Sequence, residues 1–207
     1  MSGESHLERW NARFGSEEYL FGTAPNAFLA AERGRLQPGW AALVLADGEG
    51  RNGVWLARQG LSVTTVDFSP VGITKAAKLA RDSGVIITTI QADLNHWKWP
   101  EEKFDLLVGV FMQVFDPPDR DRVFARMKKA LKPSGLLLLQ GYRPEQLAYG
   151  TGGPPTVENL YTEELLRQAF SDFAILRLQS HFSEIHEGSG HDGMSALIDL
   201  VAIRPAA

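Results

Sequence analysis

Between residues 41 and 141, short apolar runs alternate with amphipathic stretches of helical period, and no other feature of the chain restricts its fold as tightly. Strand candidates are Ala41–Ala46, Ser62–Asp67, Val85–Ile90, Phe104–Val110 and Gly135–Gly141, with helix patterns at 51–59, 70–82 and 117–131 among them. Such alternation predicts a parallel sheet covered by helices on both faces. The helix ends agree. Ser69-Pro70 and Asp116-Pro117 each set a capping oxygen before a proline suited to a first helical turn. In the last helix Asp119 and Asp121 lead while Lys128, Lys129 and Lys132 trail, matching the helix dipole, and Val123, Phe124, Met127 and Leu131 form its apolar stripe.

The flanks extend this core. HLERWNARF and PNAFLAAERGR predict short amphipathic helices around an aromatic turn, EEYLFGTAP. After the fifth strand come a loop, GYRPEQLAYGTGGPP, a helix near Thr162–Phe170, and strand-like segments at Phe173–Phe182 and Ser195–Ile203. With no helix pattern between them, these last two form an antiparallel pair. The expectation is one α/β domain of 207 residues. It comprises a helical cap (1–38), a ligand-binding core (39–141), and a pocket loop, helix and strand pair (142–207), with seven strands in all.

Composition removes several function classes. The net charge of -4 advertises no basic groove for nucleic acid. Cysteine is absent, which rules out disulfides, thiolate metal sites and a cysteine nucleophile. The opening MSGESHLERW lacks a basic segment followed by an apolar one, and no apolar run approaches membrane-spanning length, so the expected location is the cytoplasm.

The stretch VLADGEGRNG leaves the first strand and enters a helix, with Gly48 and Gly50 where a ligand would approach free backbone N–H groups. Alone this fits an ordinary strand-to-helix turn equally well. The next strand, however, ends in Asp67, 17 residues after Gly50, and the third leads to Asp93. Glycines and two acids at three neighbouring strand ends suit a nucleoside-type cofactor, the first acid accepting from ribose hydroxyls. NAD is the first rival. Framed from Ala46, its GxGxxG pattern would have Ala46, Gly48 and Arg51 at the three glycine positions, and a terminal antiparallel pair fits that fold poorly.

VLADGEGRNGVWLARQGLSVTTVDFSP resembles the first two motifs of the class I S-adenosylmethionine-dependent methyltransferases, which have a Rossmann-like seven-stranded sheet. WNARFGSEEYLFGTAPNAFL, LKPSGLLLLQGYRPEQLAYGTGGP and IHEGSGHDGMSALIDLVA look like a branch near the tellurite-resistance and thiopurine S-methyltransferases. The resemblance implies that S-adenosylmethionine is the cofactor and S-adenosylhomocysteine the product. Ala46, Asp47, Gly48, Gly50 and Asn52 would hold its methionine end, Asp67 its ribose, and Phe68, Asp93 and Leu94 its adenine. Phe111 would line the methyl. The acceptor would be a small molecule, a thiol or chalcogen oxyanion, with Tyr19, Phe21, Gln113, Tyr142 and Arg143 as pocket candidates; no catalytic base stands out.

Two letters depart from the family loop of acid, any, Gly, any, Gly, any, Gly: Val44 stands for the acid and Ala46 for the first glycine. Losing one charge-assisted hydrogen bond costs about 1.5–3 kcal/mol, which Asp47 could offset as a substitute charge. The departures also keep open a protein that binds the cofactor without turnover.

Other motifs carry less. DPP (116–118) resembles the amino-group DNA methyltransferase motif, but Asp119 takes the aromatic position and the tripeptide caps a helix. His181, His186 and His191 recur every five residues and do not converge on either regular element, so solvent-facing or loop histidines are expected and no metal site; Glu187, Gly188 and His191 also belong to the ending that resembles the family, where they would order a loop at the pocket mouth or tie the terminal hairpin together. GTGGPP (150–155) lacks the Lys-Ser/Thr of a phosphate loop and reads as a flexible turn or lid. Trp10, Phe14, Tyr19 and Phe21 suit either a cofactor cover or core packing.

Overall fold

The computed structural model describes residues 6–206. Its centre is a seven-stranded sheet in the order β3-β2-β1-β4-β5-β7-β6. The strands are β1 Ala41–Leu45, β2 Ser62–Asp67, β3 Thr88–Gln91, β4 Phe104–Val110, β5 Leu131–Tyr142, β6 Ala174–Glu187 and β7 His191–Ile203. The first five run parallel, and β7 lies antiparallel to both β5 and β6. The helices are α1 His6–Arg13, α2 Ala27–Ala31, α3 Arg51–Arg58, α4 Pro70–Asp82, α5 Pro117–Ala130 and α6 Glu163–Ala169. None is long and apolar enough to cross a membrane among the described residues.

Side-chain alternation along β1 builds the two layers. Leu43 and Leu45 join Val123, Phe124 and Met127 of α5 on one face, while Ala42 and Val44 join Leu56 of α3 and Phe28 and Leu29 of α2 on the other. The helix starts follow the sequence. Ser69 Oγ accepts from Gly72 N, a carboxylate oxygen of Asp116 from Asp119 N, and Thr162 Oγ1 from Leu165 N.

Three boundaries differ from expectation. The apolar run at 85–90 yields a strand only from Thr88, because β3 is an edge that pairs with β2 alone, and Ile86 before it is exposed. Leu131 belongs to β5 rather than to the helix stripe, although it is buried as that stripe required. The terminal pair is longer than the apolar pattern indicated. β5 pairs with β7 only as far as Tyr142↔Leu197, so residues 183–195 project beyond the sheet as a two-stranded ribbon. Its tip clasps the segment after α1. Gly190 N donates to Leu20 O, and a Cβ on Gly188 would stand 2.4 Å from the same oxygen.

Candidate functional site

The carboxyl ends of β1, β2, β3 and β4 open into a cavity of about 1070 Å³, covered by α1 and by the tip of the ribbon at His191. Ala46, Asp47, Gly48, Asn52, Asp67, Phe68, Asp93, Leu94, Phe111 and Phe21 line it, each at the strand end or cap that the sequence assigned. Open α/β sheets carry their ligands at this edge.

The loop after β1 is bent through left-handed backbone at Ala46 (φ 48°), Gly48 (φ 54°) and Gly50 (φ 87°). Gly48 faces the cavity, and a Cβ there would meet Phe14 Cζ at 3.0 Å, so the ring closes over bare backbone. Gly50 does not line the cavity. Its missing side chain admits α4, where a Cβ would lie 2.6 Å from that of Ala76. Gly53 plays the same part beneath α3, since a Cβ would be 2.4 Å from Thr65 Cγ2. Gly48, Gly50 and Gly53 thus satisfy GxGxxG when the frame starts two residues later than Ala46, so the loop letters alone do not set a dinucleotide aside. Val44 lies in the apolar layer under α3, buried among Leu56 and Val108.

Asp47 is buried; its Oδ2 accepts from Gly53 N at 3.0 Å, while Oδ1 has no partner. Burial pushes this carboxyl up to about 7. Asp67 supports the loop directly, accepting from Gly48 N (2.9 Å) and Ser69 N (2.8 Å), and burial raises it above the ordinary range as well. Asp93 is half-exposed beyond β3, accepting from Asn95 N and facing His96 Nδ1 at 2.9 Å. Asn52 Oδ1 accepts from Asn26 N. Phe111 is left-handed (φ 54°), stacks on Tyr142 at 4.6 Å and meets His191 edge-on at 4.5 Å. Backbone strain in a non-glycine residue at a cavity wall marks a place where position outweighs stability.

Four acceptor-pocket candidates fall outside the lining. Tyr19 donates to Lys75 O and packs on Val54 and Leu79. Gln113 is turned into the fold, where Nε2 donates to Tyr142 O and Asn159 O while Oε1 accepts from Tyr142 N. Tyr142 is buried behind Phe111. Arg143 pairs with Glu145 and covers Phe182 on the outer side. A position just past a strand end leaves open which way the side chain turns. The GTGGPP segment is tied down, with Thr151 Oγ1 donating to Met194 O and Gly153 packed over Tyr142.

The ribbon brings in residues that apolar periodicity could not place. His191 is not at the solvent but at the pocket mouth, the other place the sequence left open for it: it is buried against Phe21 at 4.3 Å and lines the cavity, and burial lowers its pKa. His186 is exposed beside Asp192, and His181 sits near Asp199, so the three do not converge. Among the described residues no group of three His, Cys, Asp or Glu could hold a metal ion. Glu187 joins Arg51 of α3 at 2.6 Å and accepts from Asn26 Nδ2 and Ala27 N. Trp10 and Phe21 line the cavity, and Phe14 is buried above Gly48, so the N-terminal aromatics serve as cover and as packing together.

Residues 42–135, which hold the loop and both acids, match the model of the methyltransferase domain family. This stretch, somewhat under half of the chain, is similar to a methyltransferase domain from β1 to the start of β5. A glycine/sarcosine N-methyltransferase of Halorhodospira halochloris is 31% identical over 101 residues, 45% of this chain and 37% of that one. The match therefore spans well under half of that relative's length. Two solved structures carry the same fold across nearly the whole chain. One, reported for the conversion of a disulfide bond into a thioacetal group during echinomycin biosynthesis, has a TM-score of 0.78 at 19% identity, covering 97% of this chain and 92% of the other. TehB from Haemophilus influenzae has a TM-score of 0.73 at 17% identity, covering 96% and 66%. At such identities the likeness describes the methyltransferase fold alone.

Proposed function

We propose that the protein transfers a methyl group from S-adenosylmethionine to a small acceptor that arrives as a soft anion, a thiolate or chalcogen oxyanion, and releases S-adenosylhomocysteine. The residues at the cavity fit the cofactor. Asp67, beside its two backbone donors, would offer its remaining lone pairs to ribose hydroxyls, Phe68 would flank the adenine, and Asp93 with the Leu94 backbone would address its edge. Ala46 to Gly48 would cradle the methionine end, and Phe111 would lie by the methyl. When bound, the cofactor supplies an electrophilic methyl with its own leaving group.

The chain's contribution is then to hold the acceptor in line and keep water away, and good orientation alone is worth about 7–11 kcal/mol of barrier. The observation that carries the anionic acceptor is the polarity of the aromatic end. Trp10 Nε1–H is buried without a partner, and the Arg13 guanidinium lies 4.5 Å over Trp10 and 5.8 Å over Phe21. Glu187, which faces His191 beside Phe21, is already bonded to Arg51. The aromatic end thus sets a cation and an N–H donor beside its rings, which favours an anion there, while Asp47, Asp67, Asp93, Asp116 and Asp119 line the rest of the cavity.

A second reading, cofactor retention without turnover, is favoured by one observation, the methyl of Ala46 in a left-handed position that family members leave bare. Incubation with labelled S-adenosylmethionine and separate panels of thiols, chalcogen oxyanions and amines tests both. Methylation confined to the first two classes supports the proposal. Methylation of amines such as glycine contradicts it, and binding with no transfer to any class favours the second reading.

A further inference from the structure

Cofactors of this kind carry an α-ammonium, and the family acid that usually answers it is Val44 here, buried in an apolar layer with no route to the cavity. Some other group must answer that charge, and each carboxylate around the loop can be examined in turn. Glu49 is spent: Oε1 lies 2.5 Å from Lys75 Nζ, and Oε2 accepts from Leu20 N. Asp67 holds Gly48 N and Ser69 N, one on each oxygen. Glu187 is held by Arg51, Asn26 and Ala27. Asp47 alone among these four combines a place in the cavity lining with a buried oxygen, Oδ1, that has no partner.

We propose, on the reading that the cavity binds S-adenosylmethionine, that Asp47 Oδ1 is the acceptor for the cofactor's α-ammonium, so that the charge missing at residue 44 has moved three residues along the chain.

The two oxygens then divide two tasks. Oδ2 caps α3 through Gly53 N and fixes the carboxylate; Oδ1 is held ready for a cation. The backbone N–H groups of Gly53 and Asn52 and the Arg51 charge offset only part of the cost of burying this carboxylate, so a ligand bearing the opposite charge gains selectively there. Burial raises this carboxyl to about 7, and a bound ammonium would draw it back down. The side chain also separates the tasks experimentally. In Asp47→Asn the amide oxygen can still accept from Gly53 N, while the amide NH2 left at the other position repels an ammonium.

Calorimetric titration with S-adenosylhomocysteine and with 5′-methylthioadenosine, which lacks the amino-acid end, provides the test. Asp47→Asn is expected to weaken S-adenosylhomocysteine by roughly ten- to a hundredfold. Binding of 5′-methylthioadenosine should change less than about twofold and shows that the variant is folded. A deaminated S-adenosylhomocysteine, titrated into the unaltered protein, should lose a comparable factor, which keeps the test independent of any variant. Unchanged S-adenosylhomocysteine affinity in Asp47→Asn overturns the assignment alone. An equal loss for both ligands overturns it too, leaving Asp47 as a support of the loop. Failure of both ligands to bind the unaltered protein overturns the cofactor reading and the assignment together.

Discussion

Glu187 ties the ribbon to the cofactor helix, and its removal should be felt through the whole fold. The pair with Arg51 spans 2.6 Å with side chains only 7% and 9% exposed. A surface pair would contribute about 0–1 kcal/mol. Removing one partner of a buried pair instead leaves an uncompensated charge, at about 3–5 kcal/mol. Asn26 Nδ2 and Ala27 N would also lose their shared acceptor. Glu187→Ala should therefore lower the unfolding free energy in urea at pH 7 by about 3–5 kcal/mol. Replacing both Arg51 and Glu187 with methionine should recover most of this, because the desolvation of both charges goes with them. Acid supplies a second arm. Burial acts to raise the Glu187 carboxyl, but His191 and the Arg51 guanidinium outweigh it and hold it at about 2, below its ordinary 4.5. A depressed carboxylate contributes stability above its unfolded pKa and loses it as pH falls toward the folded value. The gap between the unaltered protein and Glu187→Gln should accordingly shrink from pH 4.5 to 2. A Glu187→Ala loss under about 1 kcal/mol would refute the reasoning, since the pair would then behave as a surface one.

Gly53→Ala would place a Cβ 2.4 Å from Thr65 Cγ2 and 2.6 Å from Asp47 Oδ2. It should cost about 1–3 kcal/mol in thermal or urea unfolding, and an unchanged midpoint would contradict the close packing of α3 on β2. Ala46→Gly relieves left-handed strain of about 1–2 kcal/mol against a glycine entropy cost of about 0.5–1 kcal/mol. It should therefore raise the urea midpoint slightly, and a fall would mean that the methyl's packing outweighs the strain. Burial lifts Asp47 from 3.8 to about 7, so the ligand-free fold keeps a proton that the unfolded chain has lost, and stability declines as pH rises through that interval. Asp47→Asn should lack this decline in parallel urea titrations at pH 4 to 7; an identical slope would place its source elsewhere.

The sheet was legible because strand and helix periods alternate cleanly from Ala41 to Gly141 and because Ser69 and Asp116 cap as their types dictate. The cavity's floor was legible for the same reason, since strand-end residues have only one edge of the sheet to occupy. The ribbon was not. Residues 183–195 rise beyond the layers that impose apolar alternation, so their Glu, His, Gly and Asp carry no strand signal, and periodicity alone leaves His191 between solvent, pocket mouth and hairpin. Side-chain direction was hidden as well. Gln113 and Tyr142 follow strand ends as acceptor residues should, yet their mutual hydrogen bonds turn them inward. The role of Gly53 was obscured by framing the loop from Ala46, although its spacing from Gly50 was in plain view.

The central claim is that this cavity binds S-adenosylmethionine, and calorimetric titration of the purified protein with S-adenosylmethionine, S-adenosylhomocysteine and NADH, beside an Asp67→Ala control, tests it most directly. The account predicts roughly micromolar binding of the first two, a loss of at least about a hundredfold in the control, and no binding of NADH. Binding of NADH in their place, or of neither adenosyl ligand, would contradict it.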